Sequence, residues 1–165
     1  MRELRSVIRR YLFSWLVSMR VSEKVFCAFV SLLFFFPART RVTWDKDRGL
    51  FQVRHGNRKV WVARRSRLEL YARGINRRLG RLFEEYGLGR IPLATGDWVV
   101  DVGANIGECS ILMSCSGANI LAFEPDSLEF QALEANADGS WHLFPFALGN
   151  RSGEARFFLA NAQGG

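Results

Sequence analysis

The spacing of hydrophobic and polar positions changes several times along the chain. Residues 1–20 place apolar side chains on one helical face and arginines on the other. Residues 25–36 form an apolar run with Ser31 as its one polar member. From residue 41 to 64 the spacing becomes two, which predicts a meander of short antiparallel strands. Helical spacing returns over residues 67–86 and predicts one longer helix.

The remaining chain alternates between strand and helix patterns. Apolar runs predict strands at residues 98–102, 119–124 and 142–147, with helical spacing after the first strand. Asp126 followed by Glu129 predicts a capped helix over residues 127–137. Such alternation is typical of an α/β fold with a parallel sheet. Pro145 in the third run indicates an edge strand or a bulge.

A glycine-bearing turn follows the first of these strands, and the first two strands end in acids. Residues 101–107 read DVGANIG, and Glu124 lies 21 residues after Gly103. Glycine lets the backbone approach a ligand closely. An acid at the tip of the second strand is placed to bind both hydroxyls of a ribose. The pattern therefore indicates a nucleotide-binding βαβ unit.

The spacing of the glycines in this turn also indicates which kind of nucleotide the unit binds. A dinucleotide fingerprint that starts at Gly103 needs glycines where this chain has Asn105 and Glu108. The motif present, D-x-G-x-x-x-G, resembles the first motif of class I S-adenosylmethionine-dependent methyltransferases. Together with AFEPD (122–126) and FALGNRSGEARFF (146–158), DVGANIG resembles the FkbM-type methyltransferase family in particular. The resemblance runs from about Val60 to the C-terminus.

This resemblance implies a fold, a cofactor and an activity. The fold is the N-terminal half of a doubly wound, Rossmann-like methyltransferase sheet, preceded by a basic region of helices and a β-meander. The activity is methyl transfer from S-adenosyl-L-methionine to a small-molecule acceptor, O-methylation of a sugar or polyketide in this family. The implied cofactor contacts are Asp101, Gly103, Ala104, Asn105 and Gly107 at the methionine part, Glu124 at the ribose, and Pro125, Asp126, Ala147 and Leu148 around the adenine.

The resemblance assigns no catalytic side chain and no metal ligand. Displacement at a sulfonium methyl requires alignment of the acceptor more than a protein nucleophile. A general base for a hydroxyl acceptor is not evident in the sequence. The family's sheet continues through further strands, so we expect a fragment that lacks the acceptor half, binds the cofactor poorly and transfers no methyl group. We also expect an unpaired apolar edge along the strand 98–102.

Charge divides the chain into unlike parts. Residues 1–90 contain 21 Lys and Arg against 7 Asp and Glu, whereas residues 91–165 contain 2 against 9. With the periodicity, this predicts a helical segment 1–40, a strand and basic-helix region 41–90, and a partial cofactor domain 91–165. The basic part either faces an anionic partner or attracts the acidic part within one fold.

Residues 1–36 are the strongest candidate for an anionic partner. A basic amphipathic helix followed by an apolar run too short to span a bilayer predicts peripheral membrane attachment. The alternative is that the helix docks its apolar face (Leu4, Val7, Ile8, Tyr11, Leu12, Trp15 and Met19) on the domain. A non-catalytic remnant that binds a membrane or a partner protein is the second functional hypothesis. Nucleic-acid binding ranks last, because few aromatic residues accompany the basic helix.

The cysteine and histidine residues carry little signal. Cys27, Cys109 and Cys115 have no C-x-x-C spacing, which favours a reducing, cytoplasmic compartment, with or without attachment at the membrane periphery. His55 and His142 have no pattern for nucleophilic catalysis or metal binding, so we expect structural roles for both.

Overall fold

A computed structural model describes residues 2–154 and 156, with side chains described from Val7 onward apart from Pro37. The fold is mixed α/β, with one antiparallel and one parallel three-stranded sheet. The chain divides into two compact units, residues 1–78 and 79–165. The first unit joins the helical segment and the meander, which the sequence pattern assigned to separate regions.

The first unit pairs two helices with the antiparallel sheet. The helices are α1 (Arg2–Ser18) and α2 (Glu23–Ala38), and the strands are β1 (Arg41–Asp45), β2 (Leu50–His55) and β3 (Arg58–Val62). The strand order β1-β2-β3 confirms the predicted meander. Within the described residues, no helix is both long enough and apolar enough to cross a membrane.

Helix α2 is fixed to the sheet by the one polar side chain of its apolar run. The Ser31 hydroxyl donates to the Val42 carbonyl at 3.0 Å and accepts from the Val42 N–H at 2.8 Å. Val42 lies on β1, an outer strand of the sheet, so this hydroxyl satisfies backbone groups that have no strand partner there. Phe26, Val30 and Phe34 are fully buried on the same helix.

The prediction of one helix over residues 67–86 is wrong. The structure has a 3₁₀ helix, Arg65–Tyr71, and then α3, Ile75–Glu85. Gly74 separates them with φ +92°, a left-handed conformation that cannot continue a right-handed helix. A Cβ at Gly74 would lie 2.8 Å from the His55 ring, so the break also makes room for that side chain.

The second unit contains the parallel sheet. After the short 3₁₀ helix Leu88–Arg90 come β4 (Trp98–Val102), α4 (Glu108–Ser114), β5 (Asn119–Phe123), α5 (Ser127–Asn136) and β6 (Trp141–Phe144). The strands pair in the order β4-β5-β6, all parallel. Two strands match the expected ranges within one residue. The third ends at Phe144 and not at Ala147, because Pro145 cannot donate a ladder hydrogen bond.

The two faces of this sheet differ. One face packs on α4 and α5 through a core of Ala104, Ile120, Ala122, Leu133 and Trp141. On the other face Trp98, Val100 and Val102 are each more than half exposed. Among the described residues β4 has one strand neighbour, β5, so the expected unpaired edge is present.

Candidate functional site

The turn after β4 is tied to the end of β5 by its backbone. The N–H groups of Gly103 and Ala104 both donate to the Phe123 carbonyl at 2.9 Å. Gly103, Asn105 and Gly107 have φ of +73°, +53° and +86°. Three left-handed residues in five produce a tight loop that non-glycine sequences rarely form.

Glu124 closes this loop from the neighbouring strand. Its carboxylate is buried, Oε2 accepts from the Asn105 N–H at 2.7 Å, and Oε1 accepts from the Asp126 N–H at 2.8 Å. Each carboxylate oxygen has two lone pairs, so each retains capacity for a further donor. The acid expected at the strand tip therefore organises the site and still offers acceptor positions.

Asp101 lies one residue before the end of β4, near the same sheet edge. Its Oδ2 accepts from the buried Ser110 hydroxyl on α4 at 2.6 Å. This bond links the strand before the loop to the helix after it. In the parallel register Asp101 lies beside Ala122, two residues before Glu124, so the two acids lie at the same sheet edge.

The two loop glycines have different surroundings. A Cβ at Gly107 would lie 2.7 Å from Leu133 Cδ1 and 2.9 Å from Trp141 Cζ3, so packing under the sheet requires glycine there. A Cβ at Gly103 would meet no atom within 4 Å. Open space beside a left-handed glycine is what close approach of a ligand to the backbone requires.

Asn105 carries one of several buried polar atoms that no hydrogen bond satisfies. Its side-chain Oδ1 is buried and has no hydrogen-bond partner among the described residues, and the same holds for Arg9 Nε and Trp141 Nε1. Buried acceptors without a partner destabilise the folded state by about 1–3 kcal/mol. A donor on a bound ligand would satisfy this oxygen, so the loop fits a ligand that carries a polar N–H or O–H group.

The expected adenine contacts are only partly brought together. Asp126 is buried and caps α5, accepting from the N–H groups of Leu128 and Glu129 at 3.0 and 3.4 Å, as its capping pattern predicted. Pro125 lies between it and Glu124 and is half-buried. Ala147 and Leu148 follow β6 and are both exposed.

An aromatic cluster at this edge was missed by the sequence reasoning. The Phe123 and Phe144 rings stack at 4.6 Å between centroids, and Phe146 lies 5.8 and 5.6 Å from them. Phe146 is half exposed and immediately precedes Ala147. The sequence contains a hint of this cluster, because Phe123 directly precedes Glu124 and Phe146 directly precedes Ala147.

The part of the chain that forms this sheet edge contains acidic residues and no basic ones. Residues 91–150 contain eight Asp and Glu and no Lys or Arg, and three of the acids, Asp101, Glu124 and Asp126, lie at this sheet edge. Such a region attracts cations and repels anionic groups. Among the described residues, no group of three His, Cys, Asp or Glu side chains is arranged to hold a metal ion.

The three cysteines are free thiols in different surroundings. Cys27 is buried in α2, and burial raises the pKa of its thiol to about 11. A thiol with a raised pKa is a poor nucleophile. Cys109 is half-buried on α4, and Cys115 is exposed just after that helix.

Comparison with known proteins gives no relative. No family model matches the chain, and no match is found among curated proteins or solved structures.

Proposed function

We propose that the second unit binds S-adenosyl-L-methionine as part of a methyltransferase of the FkbM type, acting on a hydroxyl of a sugar, polyketide or similar small molecule. The observation that carries the proposal is the loop 103–107 closed by Glu124. A left-handed glycine turn, Asp101 on β4, Glu124 directly after the neighbouring strand β5, and an unsatisfied Asn105 oxygen lie at one sheet edge. Ligands of α/β sheets bind at this carboxyl edge.

The sheet supports a Rossmann-like interpretation. Strands β4, β5 and β6 are parallel and adjacent in chain order, with α4 and α5 as the crossovers. This is the arrangement of one half of a doubly wound sheet, in which the first strand carries the glycine turn.

Charge favours this cofactor over a dinucleotide. S-adenosylmethionine carries a sulfonium, an ammonium and one carboxylate and is a net cation, whereas the pyrophosphate of NAD is anionic. The carboxylates of Asp101, Glu124 and Asp126 have no Lys or Arg within residues 91–150 to offset them. An anionic pyrophosphate at this edge would meet like charge, whereas a cationic ligand would meet opposite charge.

The roles of the residues follow from their available groups. Glu124 would accept hydrogen bonds from the ribose hydroxyls with the lone pairs that Asn105 and Asp126 leave free. Asp101 and the Asn105 oxygen are acceptors for the ammonium group, and Gly103 permits close approach. Pro125, Asp126 and the segment of Phe146, Ala147 and Leu148 would flank the adenine. When bound, the cofactor supplies an electrophilic methyl group, and the protein's part is alignment and exclusion of water.

Calorimetric titration of the 165-residue chain with S-adenosylhomocysteine and, separately, with NAD tests the proposal. We expect heat from S-adenosylhomocysteine and none from NAD. Binding of NAD alone would contradict it, whereas weak binding of S-adenosylhomocysteine, with a dissociation constant of roughly 1 mM, is what the expected poor cofactor binding of this chain predicts.

Two variants assign the binding to this loop. Asn105→Gly keeps a residue that tolerates φ +53° and keeps the N–H bond to Glu124, but removes the unsatisfied oxygen. Glu124→Ala removes the acceptor for ribose. We expect both to weaken S-adenosylhomocysteine binding, the latter by about 1–3 kcal/mol. Glu134→Ala, an exposed change on α5, is the control and should bind as the parent does.

A further inference from the structure

The helices α1 and α2 leave a broad apolar surface uncovered. Tyr11 and Trp15 on α1 are 75% and 60% exposed, and Leu32 and Phe36 on α2 are 63% and 86% exposed. Isolated exposed apolar residues are ordinary, but contiguous ones mark an interaction surface. Leu12, Trp15, Phe29, Leu32 and Phe36 line a groove of about 360 Å³ between the two helices.

The exposed surface is not needed to hold the helices together. Their packing uses other side chains: the Phe13 ring lies 5.7 Å from that of Phe34 and 6.5 Å from that of Phe26. Phe13 and Leu16, which are buried, lie outside the apolar face that the sequence pattern marked on α1. Val7, Ile8, Tyr11, Leu12 and Trp15, which belong to that face, are all exposed, while the side chain of Leu4 lies outside the described residues.

The unit that carries this surface is strongly cationic. Residues 1–78 contain 19 Lys and Arg against 5 Asp and Glu. Exposed cations flank the groove-lining segments in the chain: Arg20 and Lys24 lie at the connection between the helices, and Arg39 and Arg41 follow the end of α2. Aromatic and aliphatic side chains framed by cations complement a layer of acyl chains beneath anionic headgroups.

We propose that the surface formed by α1 and α2 docks onto an anionic membrane. Trp15, Leu32 and Phe36 enter the acyl-chain boundary, and the flanking cations contact lipid phosphates and carboxylates. The helices lie in the interface, since no helix of the described residues suffices to cross the bilayer. A second copy would bring the same cations against these, and like charges repel, whereas anionic lipid headgroups oppose them. This docking is independent of the proposed methyl transfer.

Vesicle flotation with the full chain tests the proposal. Vesicles are made of phosphatidylcholine alone or of phosphatidylcholine with phosphatidylserine, at low and high salt. We expect recovery with the anionic vesicles that falls as salt rises, because surface charge is screened. Recovery that is equal on neutral and anionic vesicles would overturn the proposal, as would no recovery on either.

Matched single substitutions locate the contact. Leu32→Glu places a charge in the groove and should lower recovery by about tenfold. Tyr86→Glu makes the same change in charge at a residue of the second unit that is 65% exposed, and should leave recovery unchanged. Equal loss in both variants would overturn the assignment to α1 and α2.

Quenching of tryptophan fluorescence by lipids brominated at known depths distinguishes insertion into the bilayer from adsorption at its surface. The dependence of the oligomeric state on concentration tests for self-association. Lipids brominated on their acyl chains should quench tryptophan fluorescence, and Trp15→Phe should remove most of this quenching. Quenching that persists in Trp15→Phe would overturn insertion at this site. A concentration-dependent dimer that Leu32→Glu abolishes, with no flotation of the parent chain, would show that a second copy covers the surface.

Discussion

Single residues in the candidate site divide into those that build it and those that remain open to a ligand. Gly107 and the Asp126 cap belong to the first group, since their conformations and contacts are satisfied within the second unit. Gly103 and the Asn105 oxygen belong to the second group. Glu124 belongs to both, because its two oxygens hold the loop without exhausting their lone pairs.

Gly107→Ala should lower the free energy of unfolding by about 2–4 kcal/mol. The methyl group imposes strain at φ +86° and contacts Leu133 and Trp141 below 3 Å. Gly96→Ala is a matched control, because Gly96 has φ +89° but nothing within 4 Å of its Cβ, so about 1 kcal/mol is expected. Urea unfolding of both variants measures the difference. Equal losses would show that Leu133 and Trp141 accommodate the methyl group freely.

At the scale of elements, one arginine links the beginning of the 3₁₀ helix Arg65–Tyr71 to the connection between α1 and α2. Arg65 donates to the carbonyls of Met19 and Val21 at 3.1 and 2.8 Å and to the Glu23 carboxylate at 2.7 Å. Its guanidinium lies 4.4 Å from the Phe26 ring centroid. A planar group with several donors is required to serve these acceptors together.

Arg65→Lys should therefore destabilise the first unit by about 1–3 kcal/mol, although the charge is kept. A single ammonium cannot reach both carbonyls and the carboxylate in the same geometry. The control is Arg81→Lys, where an exposed pair with Glu85 at 2.9 Å is expected to contribute less than about 1 kcal/mol. Thermal unfolding distinguishes the two variants. An unchanged midpoint for Arg65→Lys would show that the hydrogen bonds of Arg65 do not stabilise the first unit.

Periodicity and motif spacing predicted most elements, because each depends on local sequence. The meander, the strands β4 and β5, and the cap of α5 follow from alternation, acid-ended apolar runs and the Asp126 pattern. The break at Gly74 was missed because helical spacing of apolar residues continues across it, and the left-handed conformation of Gly74 and its proximity to the His55 ring are seen only in the structure. The same limit applies to Arg65, whose partners lie more than 40 residues earlier in the chain.

The site residues also divide into those predicted from local sequence and those whose contacts depend on residues far apart in the chain. The loop glycines and Glu124 were predicted from the motif, and the structure brings them together. The hydrogen bond from Asn105 to Glu124, and the contacts of Phe123 with Phe144 and Phe146, depend on strand pairing between β4, β5 and β6. Register is a tertiary property, so a pattern within one strand does not specify it.

At the scale of the whole molecule, each unit exposes an apolar surface within its described residues, and the charges around the two surfaces differ. The α1 and α2 surface lies among cations, whereas the bare face of β4 lies in the acidic part of the chain. Trp98, Val100 and Val102 on that face are 59%, 52% and 56% exposed, and β4 is an outer strand of its sheet. An exposed apolar outer strand is a template for pairing with another chain.

Val100→Lys should reduce self-association of the protein while leaving membrane binding intact. A lysine in the middle of an outer strand opposes edge pairing, and its charge disfavours stacking of two apolar faces. Since Val100 is half exposed, we expect its replacement to change the free energy of unfolding by less than about 1 kcal/mol. Sedimentation velocity over a concentration series measures the association.

Thr43→Lys, an exposed change on the outer strand β1, adds the same charge elsewhere and should have no effect. Association that survives Val100→Lys but disappears in Leu32→Glu would assign it to α1 and α2 and contradict the role of β4.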